Sequence, residues 1–127
     1  MTQIDLREGI VAAARTLAAH NLNRGAAGNV SARWNEGFLV TPTGLACNEM
    51  QPGDIVPMAM DGNWHGARKP SSEWRFHRDL YAARPEAGAV VHAHAPFATA
   101  LACLRADIPP VHYMIARFGG NTVRCAA

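Results

Sequence analysis

Long apolar runs are missing from this sequence. No stretch approaches the roughly 18 consecutive apolar residues that a membrane-spanning helix needs, and the opening "MTQIDLREGI" has neither the basic nor the apolar segment of a secretory leader. These absences lead us to expect a cytoplasmic protein. Cysteine is scarce: Cys47, Cys103 and Cys125 are odd in number, widely spaced and form no C-x-x-C pair. That argues against a disulfide framework and a thiolate zinc site, so the thiols are expected to be reduced core residues and any metal ligands to be histidine and carboxylate. Excess charge is also missing, because 12 Lys+Arg against 10 Asp+Glu leave only +2, and Arg68-Lys69 is the sole adjacent basic pair. Neither nucleic acid nor an anionic membrane is expected as a partner. The G-x-x-x-x-G-K-[ST] nucleotide loop is absent as well.

What is present suits a single soluble globular domain over residues 1–127, with 49% hydrophobic and 17% charged residues. Leu6, Ile10, Ala13, Ala14, Leu17 and Ala18 recur at three- and four-residue intervals, which predicts an amphipathic helix from Asp5 to about His20. In "NVSARW", Val30, Ala32 and Trp34 alternate with Asn29, Ser31 and Arg33 as in a strand, and "NEG" turns into a second strand, "GFLVT". "TPTGLACNEMQPGD" reads as a loop. "DIVPMAM" reads as a strand interrupted at Pro57, a residue that belongs on a sheet edge because it has no N–H to give, and "DGN" reads as a tight turn. A second helix is expected over Glu73–Ala83, capped by Ser71 or Ser72, with Trp74, His77, Leu80 and Tyr81 on one face and Pro85 as its stop. Gly88–His94 is expected as a buried strand, Pro96–Leu104 as a short helix and "TVRC" as a last strand. The 24 alanines suggest closely packed elements.

Four short segments could carry chemistry. In "VVHAHAPF", side chains at i and i+2 of a strand share a face, so His92 and His94 would supply two imidazoles to one divalent ion; the plainer alternative is a pair of core histidines. In "KPSSEW", two hydroxyls and a carboxylate stand at a helix start, where unsatisfied N–H groups attract anions. Ser71 and Ser72 could grip a phosphate there while Glu73 serves as a base or metal ligand, or the motif could be an ordinary cap with a first-turn acid. "AAGNVS" and "TPTG" combine glycine, amide and hydroxyl groups, so Asn29, Ser31, Thr41 and Thr43 could wrap phosphate oxygens, although both segments also read as simple turns.

In this order, G-N-x-S at Gly28–Ser31, [ST]-P-[ST]-G at Thr41–Gly44, S-S-E at Ser71–Glu73 and H-x-H at His92 and His94 resemble the class II aldolase/adducin family over the whole chain. "VHYM" and "GGN" near the end are similar in particular to its L-fuculose-1-phosphate aldolase branch. The resemblance implies a three-layer α/β/α fold with a largely antiparallel central sheet, assembled as a C4 homotetramer with sites between subunits. It implies that Gly28, Asn29, Thr43, Gly44, Ser71 and Ser72 bind a sugar phosphate. It further implies that His92 and His94, with Glu73, hold zinc or another divalent ion, that Glu73 is the acid/base, and that Tyr113 donates a proton to the adjacent subunit's site.

In the family a third histidine ligand lies well downstream and has no counterpart here; His112 is a poor substitute because it belongs to "VHYM". The chain is therefore expected to lack the C-terminal part of its domain. The implied reaction cleaves a ketose 1-phosphate to dihydroxyacetone phosphate and an aldehyde. The single lysine, Lys69, agrees with a metal route in place of a Schiff base. Alternatives within the family are a pentulose-phosphate 4-epimerase, a methylthioribulose-1-phosphate dehydratase, or an adducin-like interaction protein without catalysis.

Overall fold

The computed structural model describes residues 1–126, which fall into two compact units, Met1–Ala93 and a second beginning at His94. In the first unit, helix α1 spans Gln3–Ala19. Its start is locked by a capping box, in which Thr2 Oγ1 accepts the Asp5 N–H and the Asp5 carboxylate accepts the Thr2 N–H at 2.7 Å. Strands β1 (Asn29–Trp34), β2 (Gly37–Val40) and β3 (Val56–Ala59) follow, then helix α2 (Trp74–Ala83) and strand β4 (Ala89–His92).

The four strands form one antiparallel sheet in the order β3-β2-β1-β4. Pro57 sits in β3, which is an outer strand of that order, as a residue without a ladder donor requires. The β1–β2 turn carries Asn35 in the left-handed region at φ 49°. At Gly37 a side chain would collide with the Met58 carbonyl of the neighbouring strand, so close strand approach demands glycine there.

Each face of the sheet carries one helix, which makes the expected three-layer α/β/α arrangement. On the first face, Ile10, Val11 and Ala14 of α1 pack with Val30, Ala32 and Leu39 of the strands and with Cys47, Met50 and Ile55 of the following loop. Burying side chains such as Leu39 and Ile55 contributes roughly 2 kcal/mol each. Arg7 and Arg15 fasten the loop to α1: Arg7 donates to the carbonyls of Pro52 and Ile55, and Arg15 to that of Met50. On the second face, Phe38, Val40, Val56 and Met58 pack with Tyr81 of α2. Arg33 secures that helix by donating to the carbonyls of Tyr81, Arg84 and Ala87, beyond where intrahelical donors run out, while its guanidinium lies 4.7 Å from the Tyr81 ring centroid.

Several sequence expectations need correction. The Asn29–Ser31–Arg33 side of β1 is covered by α2, and Ser31 has no exposed surface. Leu80, expected on one face of α2 with Trp74, His77 and Tyr81, is half exposed; the buried residues of α2 are His77 and Tyr81. β4 is an outer strand, with Val91 54% exposed, and it ends at His92, so His94 lies past the ladder. An apolar run marks a strand but not its place in the sheet.

In the second unit, α3 spans Pro96–Cys103 and a 3-10 helix spans Tyr113–Phe118. "TVRC" is not a strand: Val123 makes only an isolated bridge with Ile108, because Pro109 and Pro110 follow with no N–H to extend a ladder. All three cysteines are free, but only Cys47 is a core thiol; Cys103 is exposed and Cys125 partly so, since α3 presents Cys103 to the surface of its unit. No helix among the described residues is long and apolar enough to cross a membrane.

Candidate functional site

The start of β1, the end of β2 and the entry to α2 are stitched together by short hydrogen bonds. Thr41 N–H donates to Val30 O at 3.0 Å, Ser71 N–H to Thr41 O at 2.9 Å and Thr43 N–H to Lys69 O at 3.1 Å. Pro42 and Pro70 are bridge partners between these segments. The three motif segments around Gly28, Thr43 and Ser71 therefore lie side by side. Within them the roles divide by burial. Thr43, Gly44 and Ser72 are exposed, whereas Asn29, Thr41 and Ser71 are buried. Thr41 Oγ1 accepts the Val30 N–H at 3.2 Å and Ser71 Oγ accepts the Glu73 N–H at 3.2 Å. The expected cap by Ser71 or Ser72 needs correction: α2 begins at Trp74 with Glu73 as its N-cap residue and no side-chain cap, and Ser71 braces the turn just before the helix.

Within the motif segments two glycines have φ values that ordinary side chains avoid, Gly28 at 70° and Gly44 at 69°. At Gly28 a methyl group would also overlap the buried side chain of Asn23; around Gly44 the space is open. Ser31 and Thr41, considered from sequence as donors to a phosphate, are fully occupied inside the fold. That is a correction: alternation along β1 aims Ser31 into the α2 layer, and Thr41 caps the start of the sheet.

Strand register places the histidine. Asn29 of β1 is directly opposite His92 of β4, so both side chains stand on the α2 face. Glu73 enters from the N-cap position of α2, one residue before the helix, where the sequence had the helix begin at Glu73 itself. His92 Nε2 lies 3.3 Å from Glu73 Oε2, and Asn29 Nδ2 donates to the same carboxylate oxygen at 2.7 Å. Phe76 stacks on the His92 ring at 5.9 Å between centroids and 11° between planes. One ligand atom each from Glu73, His92 and His94 lie within 4.8 Å of one another, a spacing at which the three could hold a metal ion. Two imidazoles and a carboxylate are a donor set that suits a first-row divalent cation.

Behind Asn29 runs a polar cluster that brings in His77 and Tyr81, which the sequence did not assign to the site. Asn29 Oδ1 meets His77 Nε2, His77 Nδ1 meets Ser31 Oγ at 2.7 Å, and Ser31 Oγ meets Tyr81 Oη at 2.7 Å. Burial, reinforced by repulsion from His92 and partly opposed by attraction to Glu73, lowers the His77 pKa to about 4, so the ring is neutral at ordinary pH. Burial also pushes the Tyr81 phenol up, so it keeps its proton. The clue in the sequence was double periodicity: Asn29 and Ser31 share a strand face, and Glu73, His77 and Tyr81 recur every four residues. Tyr113 stands in the second unit, 80% exposed at the start of the 3-10 helix that His112 caps through its ring nitrogen.

Residues 8–127 match the family described as the Class II Aldolase and Adducin N-terminal domain. The chain is 53% identical over 126 residues to a 5-methylthioribulose-1-phosphate/5-deoxyribulose-1-phosphate aldolase of Rhodospirillum rubrum, covering 99% of this chain and 57% of that protein. It is 49% identical over 105 residues to an L-fuculose phosphate aldolase of Escherichia coli, covering 83% of this chain and 49% of the relative. A solved L-fuculose 1-phosphate aldolase superposes with a TM-score of 0.86 at 38% identity, covering 94% of this chain and 57% of that one. The chain thus spans about half the length of these relatives. With the four motifs side by side in one fold and a family match over nearly every residue, the chain belongs to the class II aldolase and adducin family.

Proposed function

We propose that this chain forms the catalytic domain of a metal-dependent aldolase that cleaves a ketose 1-phosphate to dihydroxyacetone phosphate and an aldehyde. The observation that carries this reading is the convergence of three phosphate-type loop segments beside a Glu73–His92 pair at 3.3 Å. The relatives named above as aldolases of L-fuculose phosphate and of 5-methylthioribulose 1-phosphate or 5-deoxyribulose 1-phosphate make those three sugars the first substrates to test.

On this reading Thr43, Ser71 and Ser72 hold the phosphate with their hydroxyls. Gly28 and Gly44 let it approach the backbone, and the second Asn29 amide proton is available to it. His92, His94 and Glu73 hold zinc or another divalent ion, which when bound supplies the electron-withdrawing charge that cleavage of a β-hydroxy ketone needs. Glu73 moves the proton at the reacting carbon of the dihydroxyacetone phosphate half. Anchoring the phosphate places that carbon without strain at the reacting bond. Tyr113, exposed on its own unit, donates to the leaving aldehyde oxygen of a neighbour's site in a C4 tetramer. The three free cysteines accord with a cytoplasmic location.

The test is a cleavage screen with the metal-supplemented protein over L-fuculose 1-phosphate, 5-deoxyribulose 1-phosphate and 5-methylthioribulose 1-phosphate, read as dihydroxyacetone phosphate. Release from at least one, abolished by His92→Ala together with loss of bound metal, is the expected result. No release from any of them, with metal bound, would overturn the aldolase reading.

A further inference from the structure

The proposed mechanism uses Glu73 and Asn29 but gives no role to three buried groups beneath them, His77, Ser31 and Tyr81. Their hydrogen bonds admit only one direction. A carboxylate has acceptors alone, so the Asn29 amide must turn its N–H toward Glu73, which leaves its Oδ1 facing His77. An oxygen there requires His77 to present N–H at Nε2. A neutral imidazole carries one such proton, so Nδ1 must accept, and Ser31 must donate its O–H to it across 2.7 Å. The Ser31 oxygen is then left to accept the Tyr81 phenol proton, also across 2.7 Å.

We infer that His77 is a positioning residue for the proposed acid/base: as the Nε2–H tautomer it is the middle link of a one-way hydrogen-bond chain, Tyr81 to Ser31 to His77 to Asn29 to Glu73, that holds the Glu73 carboxylate facing His92. The inference rests on the reading of Glu73 as the group that moves the proton. Each link comes from a rigid element, Ser31 and Asn29 from the middle of the sheet and His77 and Tyr81 from the inner face of α2. The chain thus transmits the helix-to-sheet packing to the orientation of one carboxylate. Glu73, half-buried at the N-cap position just before α2, has rotamer freedom that the Asn29 amide restricts. Asn29 cannot be held by the sheet alone, because an amide that rotated by half a turn would point oxygen at carboxylate; His77 prevents that rotation.

Two measurements on the full chain test this, and they fail separately. Long-range proton–nitrogen NMR spectra of the unmodified protein should show His77 neutral and protonated at Nε2 at pH 7, with Nδ1 in the hydrogen-bonded range. In Ser31→Ala the Nδ1 resonance should leave that range. His77 protonated at Nδ1, or present as imidazolium at pH 7, would overturn the chain. In the cleavage assay His77→Leu should lower kcat about 10-fold to 100-fold while KM for the ketose 1-phosphate changes less than about threefold. His77→Gln, which restores an N–H toward Asn29, should recover most of the loss. A folded His77→Leu protein with unchanged kcat would also overturn the inference. Should His77→Leu not fold, the tautomer and the kcat of Ser31→Ala, expected to fall several-fold, decide it. If the unmodified protein cleaves none of the sugars, the aldolase reading fails alone, and the NMR spectra still decide the chain.

Discussion

The two faces of this sheet are made by neighbouring residues of the same strands, yet they are built on different physics. Val30, Ala32 and Leu39 turn to α1 and meet only apolar groups in the core cluster there. Asn29, Ser31 and Arg33, one step along the same β1 backbone, turn to α2 and meet hydrogen-bonding partners. The α1 face tolerates any side chain of the right volume, because burial is non-directional. The α2 face does not, because each polar group must find a partner of the right sense. One layer of the fold thus supplies stability and the other supplies orientation, with the site at the end of the second.

The largest effect that separates the two faces should come from Glu73→Gln. An amide cannot take a proton from carbon, so activity should fall by roughly 10²-fold to 10⁴-fold. Thermal stability should barely move, since the amide oxygen still accepts from Asn29. Solvent proton exchange into dihydroxyacetone phosphate is the measurement, and exchange at the wild-type rate would remove Glu73 from the chemistry.

Leu39→Ala should do the reverse. Leu39 has no exposed surface, and the cavity left between α1 and the sheet should cost about 2 to 5 kcal/mol in denaturant unfolding. The kcat of the fraction that remains folded should be nearly unchanged. A large kcat loss in well-folded Leu39→Ala protein would show that the faces are coupled.

Acid should attack the α2 face selectively. His77 has a folded-state pKa of about 4 against an ordinary 6.5, so folded and unfolded chains are equally uncharged there above pH 6.5. As pH falls below 6.5 the unfolded chain takes up a proton that the folded one refuses, and stability drops until the folded pKa is passed. The loss across that window is on the order of 3 kcal/mol. Urea titrations at stepped pH should show the slope in the wild type and in a milder α1-face variant such as Val11→Ala. His77→Gln should lack it; the same slope in that variant would place the acid sensitivity elsewhere.

Tyr81→Phe should give the smallest change. It removes the terminal donor of the polar chain while keeping the ring against Phe38, 5.4 Å away, and beneath Arg33. A stability loss of about 1 kcal/mol and an activity loss smaller than that of Ser31→Ala are expected.

Helices α1, α2 and α3 and strands β1 and β2 are legible in the sequence nearly to their ends. The reason is local: a capping box at Thr2 and Asp5, period-two and period-four apolar spacing, Pro85 after the end of α2 and Pro96 at the start of α3 all act within a few residues. The edge position of Pro57 and the four motifs are legible too, since a proline without an N–H and a glycine at positive φ restrict the backbone wherever they stand. It took the assembled sheet and helices to put β4 at an edge, to set His92 opposite Asn29 and to bury the polar side of β1. An alternating polar stripe reads the same whether water or a helix covers it, because periodicity records which side chains share a face and not what that face meets. Ser31 and His77 became parts of a site only when α2 closed over β1, burying groups that had to pair with one another once water was gone.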